Sequence, residues 1–236
     1  MPNGLNHHSI QIDNHILRSL PPSDFERISP HVQLNHSEVL YEPDQPIDSV
    51  YFPNFGIVSL VANDVEGQSV EVGIVGFEGV VGLSVALATD KSPYQVLVQL
   101  PNSGFRMSAR AFQDEFKRAG VMHDLVLRYT HSLLMHTSQL AVCNRLHSLS
   151  ERLARWLLMS YDRCKCVDLP FTHEFLSLML GVRRAGVTEA AIVLQTEGYI
   201  KYRRGHITII DKEGLEVHTC DCYAVLKKDF YSVVDQ

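Results

Sequence analysis

The chain has 236 residues, of which 45% are hydrophobic, and a formal net charge of −6 at pH 7. This length allows one or two domains, and the apolar stretches are too short to span a membrane. The first residues lack a signal-peptide pattern and the five cysteines are an odd number, which argues against a secreted, disulfide-linked protein. We therefore expect a cytoplasmic protein with no membrane partner.

The acidic balance is confined to the N-terminal part of the chain. Residues 1–140 have 8 Lys and Arg against 15 Asp and Glu, whereas residues 141–236 have 13 against 12. Within residues 172–212 the count is 6 against 4. Because phosphates respond to local charge rather than to the net charge of the chain, nucleic-acid binding remains possible for the C-terminal part.

Residues 1–107 have the pattern of a small antiparallel β domain. Short helices are predicted first, over residues 13–19 and 22–28. β-Branched residues then alternate or cluster in three segments separated by Gly and Pro, at 49–61, 69–75 and 95–100. Short strands at such close intervals indicate an antiparallel sandwich or barrel.

The pattern becomes helical after Met107, with one helix predicted over residues 108–119 and a long one from 121 to about 143. Residues of the long helix recur in alternating steps of four and three: Met122, Val126, Tyr129, Leu133, His136, Leu140 and Cys143. A 3.5-residue repeat held for three heptads favours two paired helices, so we assign the first six residues to a homodimer seam. The alternative is a helix packed on its own domain.

Residues 144–148 interrupt this repeat and are interpreted as a hinge. The next helix is predicted to begin at Ser148, because Ser148 and Glu151 have the spacing of a capping box. At the other end of the C-terminal part, residues 214–236 have apolar residues near helical spacing. They predict one helix that covers the domain before it.

Residues 172–210 have the pattern of a winged helix-turn-helix. Two short helices are predicted around Gly181, which can supply a left-handed turn residue. Thr172 is placed to cap the first helix and Gly198 to end the second, and two strands then flank a basic turn at residues 203–205. The second helix of such a motif lies in the major groove of DNA. The alternative is that these helices and the hairpin form a C-terminal segment that does not bind DNA.

The candidate DNA contacts are basic or polar residues on the second helix and on the hairpin. Arg183 and Arg184 lie at the leading end of the helix, where side chains reach base edges or phosphates first. Cations on an exposed hairpin suit phosphate contact. The predicted set is Arg183, Arg184, Thr188, Gln195, Lys201, Arg203 and Arg204, and the predicted partner is double-stranded DNA.

A β-barrel, a long helix, a hinge and a winged helix in this order resemble the Crp/Fnr superfamily of transcription regulators. The resemblance rests on Val50-Tyr51-Phe52-Pro53-x-x-Gly56 and on residues 151–158, 180–188 and 205–209. It implies an α+β chain with an N-terminal antiparallel β-barrel or jelly roll of the cyclic-nucleotide-binding type (1–120), a dimerisation helix and hinge (121–147) and a winged helix-turn-helix (148–236). It also implies a dimeric, sequence-specific DNA-binding regulator that is not an enzyme, with Arg184 at a position that commonly contacts DNA.

The residues that hold a cyclic nucleotide in this family are not matched. Members that bind one use a Gly-Glu pair for the ribose and an Arg beside Ser or Thr for the anionic phosphate. Leu83 stands where the carboxylate should be, and no arginine lies between Gly79 and Val98. We expect no response to cAMP or cGMP through this pocket. An unknown small-molecule effector remains possible, as does a ligand-sensing or protein-binding module whose winged helix no longer contacts DNA.

The cysteines give no clear ligand set. No cysteine precedes Cys143, so the N-terminal iron–sulfur site of oxygen-sensing relatives is absent. Two C-x-C pairs, Cys164/Cys166 and Cys220/Cys222, could together hold zinc if they met, but nothing in the sequence shows that they do. We therefore predict no metal and no cofactor, and interpret the pairs as structural, with metal binding or redox sensing as alternatives.

Overall fold

The computed structural model describes residues 11–25 and 31–234. Within these residues, the N-terminal part, here called the β domain, contains three α-helices, one 3₁₀ turn (Leu83–Val85) and seven strands. The helices are α1 (His15–Arg18), α2 (Pro22–Phe25) and α3 (Ala109–Lys117). The strands are β1 (His31–Leu34), β2 (Val39–Tyr41), β3 (Ser49–Pro53), β4 (Ile57–Asn63), β5 (Ser69–Val75), β6 (Gln95–Leu100) and β7 (Asn102–Ser108).

Two antiparallel sheets form the β domain, in the orders β2-β6-β4-β5 and β1-β7-β3. In β3, alternate side chains point inward, and Val50 and Phe52 are fully buried. They share one apolar core with Val58, Val96 and Val98 of the other sheet. The arrangement is therefore an open two-sheet jelly roll rather than a closed barrel. The predicted second helix is seen over α2, and the rest of its predicted range lies outside the described residues.

The long helix α4 spans Val121–Leu146 and α5 spans Leu149–Cys164. α4 thus runs three residues further than predicted, and the predicted five-residue hinge is reduced to His147 and Ser148, which are both extended. The capping box is confirmed, since Ser148 Oγ accepts from Glu151 N at 3.4 Å and Glu151 Oε2 accepts from Ser148 N at 2.8 Å. These hydrogen bonds satisfy two backbone N–H donors and so stabilise the N-terminus of α5.

The C-terminal part, here called the winged domain, begins with α5. It continues with β8 (Asp168–Leu169), α6 (His173–Leu180), α7 (Arg184–Thr196), β9 (Ile200–Arg203), β10 (His206–Ile209), α8 (Lys212–His218) and α9 (Asp221–Val234). The strands form a sheet in the order β8-β10-β9. The tail is two helices rather than the single predicted one, because the chain is extended at Thr219. Among the described residues, no helix is long and apolar enough to cross a membrane.

The residues of the 3.5-residue repeat in α4 pack against other parts of the same chain. Its first half packs on the β domain, where Met122, Val126 and Tyr129 are at most 2% exposed. Its second half packs beside α9, and His136, Leu140 and Cys143 are also buried, while Leu133 is half-buried against the β-domain core. The interpretation of Met122, Val126, Tyr129, Leu133, His136 and Leu140 as a dimer seam is therefore corrected. These residues recur every 3.5 positions because two parts of the same chain cover that face.

Candidate nucleic-acid interface

The helix pair α6–α7 is built from local signals. Thr172 Oγ1 accepts from Phe175 N at 3.1 Å and starts α6, while Gly181 ends it with φ +63°. The inward faces bury Leu176 and Met179 on α6 and Val187, Ala191 and Leu194 on α7. This packing fixes α7 by its apolar side and leaves its other side exposed.

The two arginines lie at the start of α7, as predicted. Arg183 is the N-cap residue, with no side-chain capping bond, and Arg184 is the first helical residue. The Arg184 side chain is 70% exposed, and its Nε lies 3.9 Å from Glu174 Oε2, which is also largely exposed. Such a surface pair is weak. Both guanidinium groups therefore remain available beside a helix N-terminus, which itself favours anions.

Thr188 and Gln195 are used within the winged domain. Thr188 Oγ1 donates to Arg184 O at 3.1 Å and lies 2.9 Å from His173 Nδ1, and the His173 ring stacks on Tyr202. Gln195 Oε1 accepts from Tyr202 N at 2.9 Å. Both side chains thus tie α7 to its surroundings, and Gln195 ties it to the hairpin strand β9.

The hairpin places its cations at an exposed tip. Arg203 pairs with His206 across a two-residue turn, in which Arg204 has φ +49° and Gly205 has φ +86°. Two consecutive left-handed residues are typical of a type I′ turn. Lys201, Arg203 and Arg204 are exposed, and their side chains form no hydrogen bond or ion pair with other described residues.

A cavity of about 210 Å³ lies between the β domain and α4. Its wall includes Tyr41, Leu83, Ser84 and Ser92 from the β domain and Leu133 from α4, so Leu83 does reach the cavity as the sequence implied. Within the described part of the chain, no Lys, Arg, Asp or Glu lines it. The cavity suits an uncharged, mostly apolar molecule better than an anionic one.

Known proteins resemble this chain in sequence and in fold. Residues 151–217 match the family of the Crp-like helix-turn-helix domain. The transcriptional regulatory protein btr of Bordetella pertussis is 27% identical over 203 residues, which are 81% of either chain. A Crp/Fnr-family protein from Eubacterium rectale has a TM-score of 0.67 at 18% identity and covers 86% of this chain and 96% of its own. FixK2 from Bradyrhizobium japonicum has a TM-score of 0.69 at 16% identity, with coverages of 82% and 98%.

Residues 151–217 are thus a Crp-like helix-turn-helix domain, and the chain shares its fold with these two solved structures. The expected fold class is confirmed by these structures. The expected helix-turn-helix domain is confirmed by the matching domain family, and the Bordetella pertussis relative is a transcriptional regulatory protein.

A buried carboxylate joins the β domain to the winged domain. Glu71 of β5 accepts hydrogen bonds from Trp156 Nε1 of α5 at 2.9 Å, from Gln99 Nε2 at 2.6 Å and from Ser59 Oγ at 2.7 Å. Burial disfavours the charged form and raises the pKa of Glu71 to about 7, although the hydrogen bonds from Ser59 and Trp156 and two nearby arginines act in the opposite direction. Glu71 is therefore poised to lose its proton near neutral pH.

A second buried carboxylate at the same junction is paired with a cation. Glu78 Oε1 lies 2.7 Å from Arg163 Nε of α5, and both side chains are almost fully buried. Arg163 also donates to Met159 O and lies over the Phe230 ring. Sequence analysis missed both carboxylates, because their partners are 85 positions away and no local pattern marks the pairing.

Proposed function

We propose that this chain is a transcription regulator of the Crp/Fnr type, a homodimer that binds a specific double-stranded DNA site with α7 and the β9–β10 hairpin. The observation that carries the proposal is the set of exposed cations on these two elements, with no strong partner among the described residues. Cations left free in this way can replace the counterions around phosphates. The chain would act in the cytoplasm, with the DNA.

The candidate residues divide into two roles. Arg183 and Arg184, at the leading end of α7, approach base edges and the nearby backbone, because a recognition helix enters the groove by its N-terminal residues. Lys201, Arg203 and Arg204 hold phosphates beside the groove. Thr188 and Gln195 position α7 and the hairpin through their intramolecular hydrogen bonds, so they act on DNA indirectly.

A second copy of the chain is proposed to cover the exposed face of α4. Leu127, Leu134, Met135 and Val142 are each more than 40% exposed on this helix. Leu127, His131, Leu134, Ser138 and Ala141 all lie on the exposed side and alternate steps of four and three. This seam repeats every 3.5 residues, as paired helices require, and pairing would remove the leucines from water. Two winged domains could then reach half-sites about one DNA turn apart.

The input to this regulator is proposed to be something other than cAMP or cGMP. The cavity beside Leu83 has no cation to hold a cyclic phosphate and no carboxylate to hold a ribose. Polar contact is restricted to hydroxyl and backbone groups, including those of Ser84 and Ser92. Calorimetry should therefore show no micromolar binding of either nucleotide.

The competing function is a protein-binding module, and one observation favours it. Ile192 and Val193 are 54% and 43% exposed on α7, which places apolar side chains on the helix that should face DNA. Selection of binding sites from random DNA by the purified full-length protein separates the two functions. Enrichment of a two-fold symmetric sequence supports DNA binding, and no enrichment contradicts it.

Two arginine variants then test the assigned surface on the selected sequence. Arg184→Ala should weaken binding by about 1–3 kcal/mol and relax the preference for a base. Arg204→Ala should weaken binding to all sequences alike and lower the salt dependence, because a phosphate contact is lost. Arg110→Ala removes an exposed arginine of α3 and is the matched control. If all three variants bind alike, the surface is wrongly placed.

A further inference from the structure

Four side chains that commonly bind metals meet where α4 ends. Cys143 lies in its last turn and His147 follows four residues later, so both are on one side of the helix. Cys220 and Cys222 flank the start of α9. The ligand atoms of the four residues all lie within 4.8 Å of one another.

The spacing of these atoms fits a tetrahedral metal site. Cys143 Sγ and Cys220 Sγ are 3.5 Å apart, and Cys222 Sγ and His147 Nδ1 are also 3.5 Å apart. A tetrahedral zinc ion has Zn–S distances of about 2.3 Å and Zn–N distances of about 2.0–2.1 Å, which separate two sulfurs by about 3.8 Å and a sulfur from a nitrogen by about 3.5 Å. Only small side-chain shifts would bring all four ligands onto one ion.

Two of the three sulfurs in this cluster accept hydrogen bonds. Cys143, Cys220 and Cys222 are buried, and two donors point at their sulfurs: Arg155 Nε at 3.2 Å from Cys143 Sγ and Gln139 Nε2 at 3.0 Å from Cys222 Sγ. Hydrogen bonds to ligand atoms are a regular feature of protein metal sites. The sulfurs of Cys143 and Cys222 thus act as acceptors, as a metal-bound thiolate does.

The buried side chain of Arg155 gives a second, independent indication of a metal site. It is 3% exposed, and its two hydrogen-bond partners among the described residues are both sulfur atoms, Cys143 Sγ and Met159 Sδ. A guanidinium keeps its charge when buried and is costly without a nearby counter-charge. Three thiolates and one imidazole around a dication have a net charge of −1, which the guanidinium would offset.

We propose that Cys143, His147, Cys220 and Cys222 bind one Zn²⁺ ion per chain. Sulfur and imidazole ligands in a tetrahedron favour zinc, and four protein ligands leave no position for a substrate, so the role is structural. The ion would join the end of α4 and the hinge residue His147 to α9, and so fix the angle between α4 and the winged domain. Cys164 and Cys166, which contact each other instead, take no part.

Metal content and cobalt substitution of the reduced full-length protein test the site directly. The purified protein should contain one zinc per chain. After removal of zinc by a chelator, it should take up one Co²⁺, with the intense visible bands of tetrahedral cobalt and a thiolate charge-transfer band. These readouts do not depend on DNA binding, so they stand apart from the proposed function.

Matched cysteine variants locate the ligands. Cys222→Ser should weaken zinc binding at least 100-fold, whereas Cys166→Ser, outside the cluster, should leave it unchanged. Gln139→Ala keeps every ligand and should weaken binding about 10- to 100-fold through the lost hydrogen bond, which gives a milder test if Cys222→Ser does not fold. The proposal is overturned if the reduced protein takes up neither metal, if it forms only a Cys143–Cys220 disulfide, or if Cys166→Ser loses as much zinc as Cys222→Ser.

Discussion

The proposed DNA-binding surface and the junction between the two domains use charge in opposite ways. Arg183 and Arg204 are exposed and free of strong partners, whereas Glu71, Glu78 and Arg163 are buried and held by specific partners. Exposed cations cost the fold little, but a buried charge must be offset where it lies. Substitutions at the surface should therefore change DNA binding and spare stability, and substitutions at the junction should do the reverse.

The largest effect is expected at the buried ion pair. Arg163→Met leaves the Glu78 carboxylate buried without its cation, and one of its oxygens already lacks a partner among the described residues. The free energy of unfolding should fall by about 3–5 kcal/mol. Urea unfolding followed by circular dichroism measures it.

The double variant Glu78→Gln/Arg163→Met is the control for that loss. It removes both charges, so most of the lost stability should return. A single variant that loses less than about 1 kcal/mol would show that solvent reaches Glu78 and that the junction is not a dry interior.

The next effect is a pH dependence caused by Glu71. Because its pKa is raised to about 7 in the fold, the folded chain binds a proton that the unfolded chain releases near its ordinary pKa of about 4.3. The stabilising contribution is complete below that value and is lost as pH rises through about 7, in total about 3–4 kcal/mol.

Glu71→Gln should remove this part of the pH dependence. The variant should be more stable than the unsubstituted chain at pH 8 and similar to it at pH 5, by urea unfolding at each pH. Glu66→Gln changes an exposed carboxylate in the β4–β5 turn and should leave the pH dependence unchanged. Equal slopes for all three proteins would mean that Glu71 is ionised throughout this range.

Contacts between residues close in the sequence could be predicted, whereas contacts between distant residues, such as those at the junction, could not. The turn at Gly181 and the capping box at Ser148 depend on residues at most four positions apart, and both were predicted correctly. The Glu71–Trp156 hydrogen bond joins residues 85 positions apart, and Glu71 is simply one polar residue in an alternating strand. Periodicity likewise found the buried face of α4, but it could not say whether the same chain or a second copy covers that face.

A smaller effect is expected on the exposed face of α4. Leu134→Lys places a charge where a second copy should pack and should weaken dimerisation by about 1.5–3 kcal/mol, without loss of fold. Sedimentation measures the monomer–dimer equilibrium. Leu133→Ala, one position away but half-buried in its own chain, should instead lower the stability of the fold. If Leu134→Lys remains dimeric, the seam lies elsewhere.

The smallest expected effect tests whether a residue of α7, the helix proposed to face DNA, contacts DNA directly or only holds the helix in position. Gln195 lies on α7, but its Oε1 accepts from Tyr202 N of the hairpin. Gln195→Ala should loosen that link and weaken binding to every sequence by about 0.5–1.5 kcal/mol, the usual contribution of one hydrogen bond, with the preferred bases unchanged. Thr196→Ala, at an exposed neighbour, is the control, and binding-site selection is the measurement. A changed base preference would show that Gln195 contacts DNA directly, and the residue would then belong to the surface rather than to the structure that supports it.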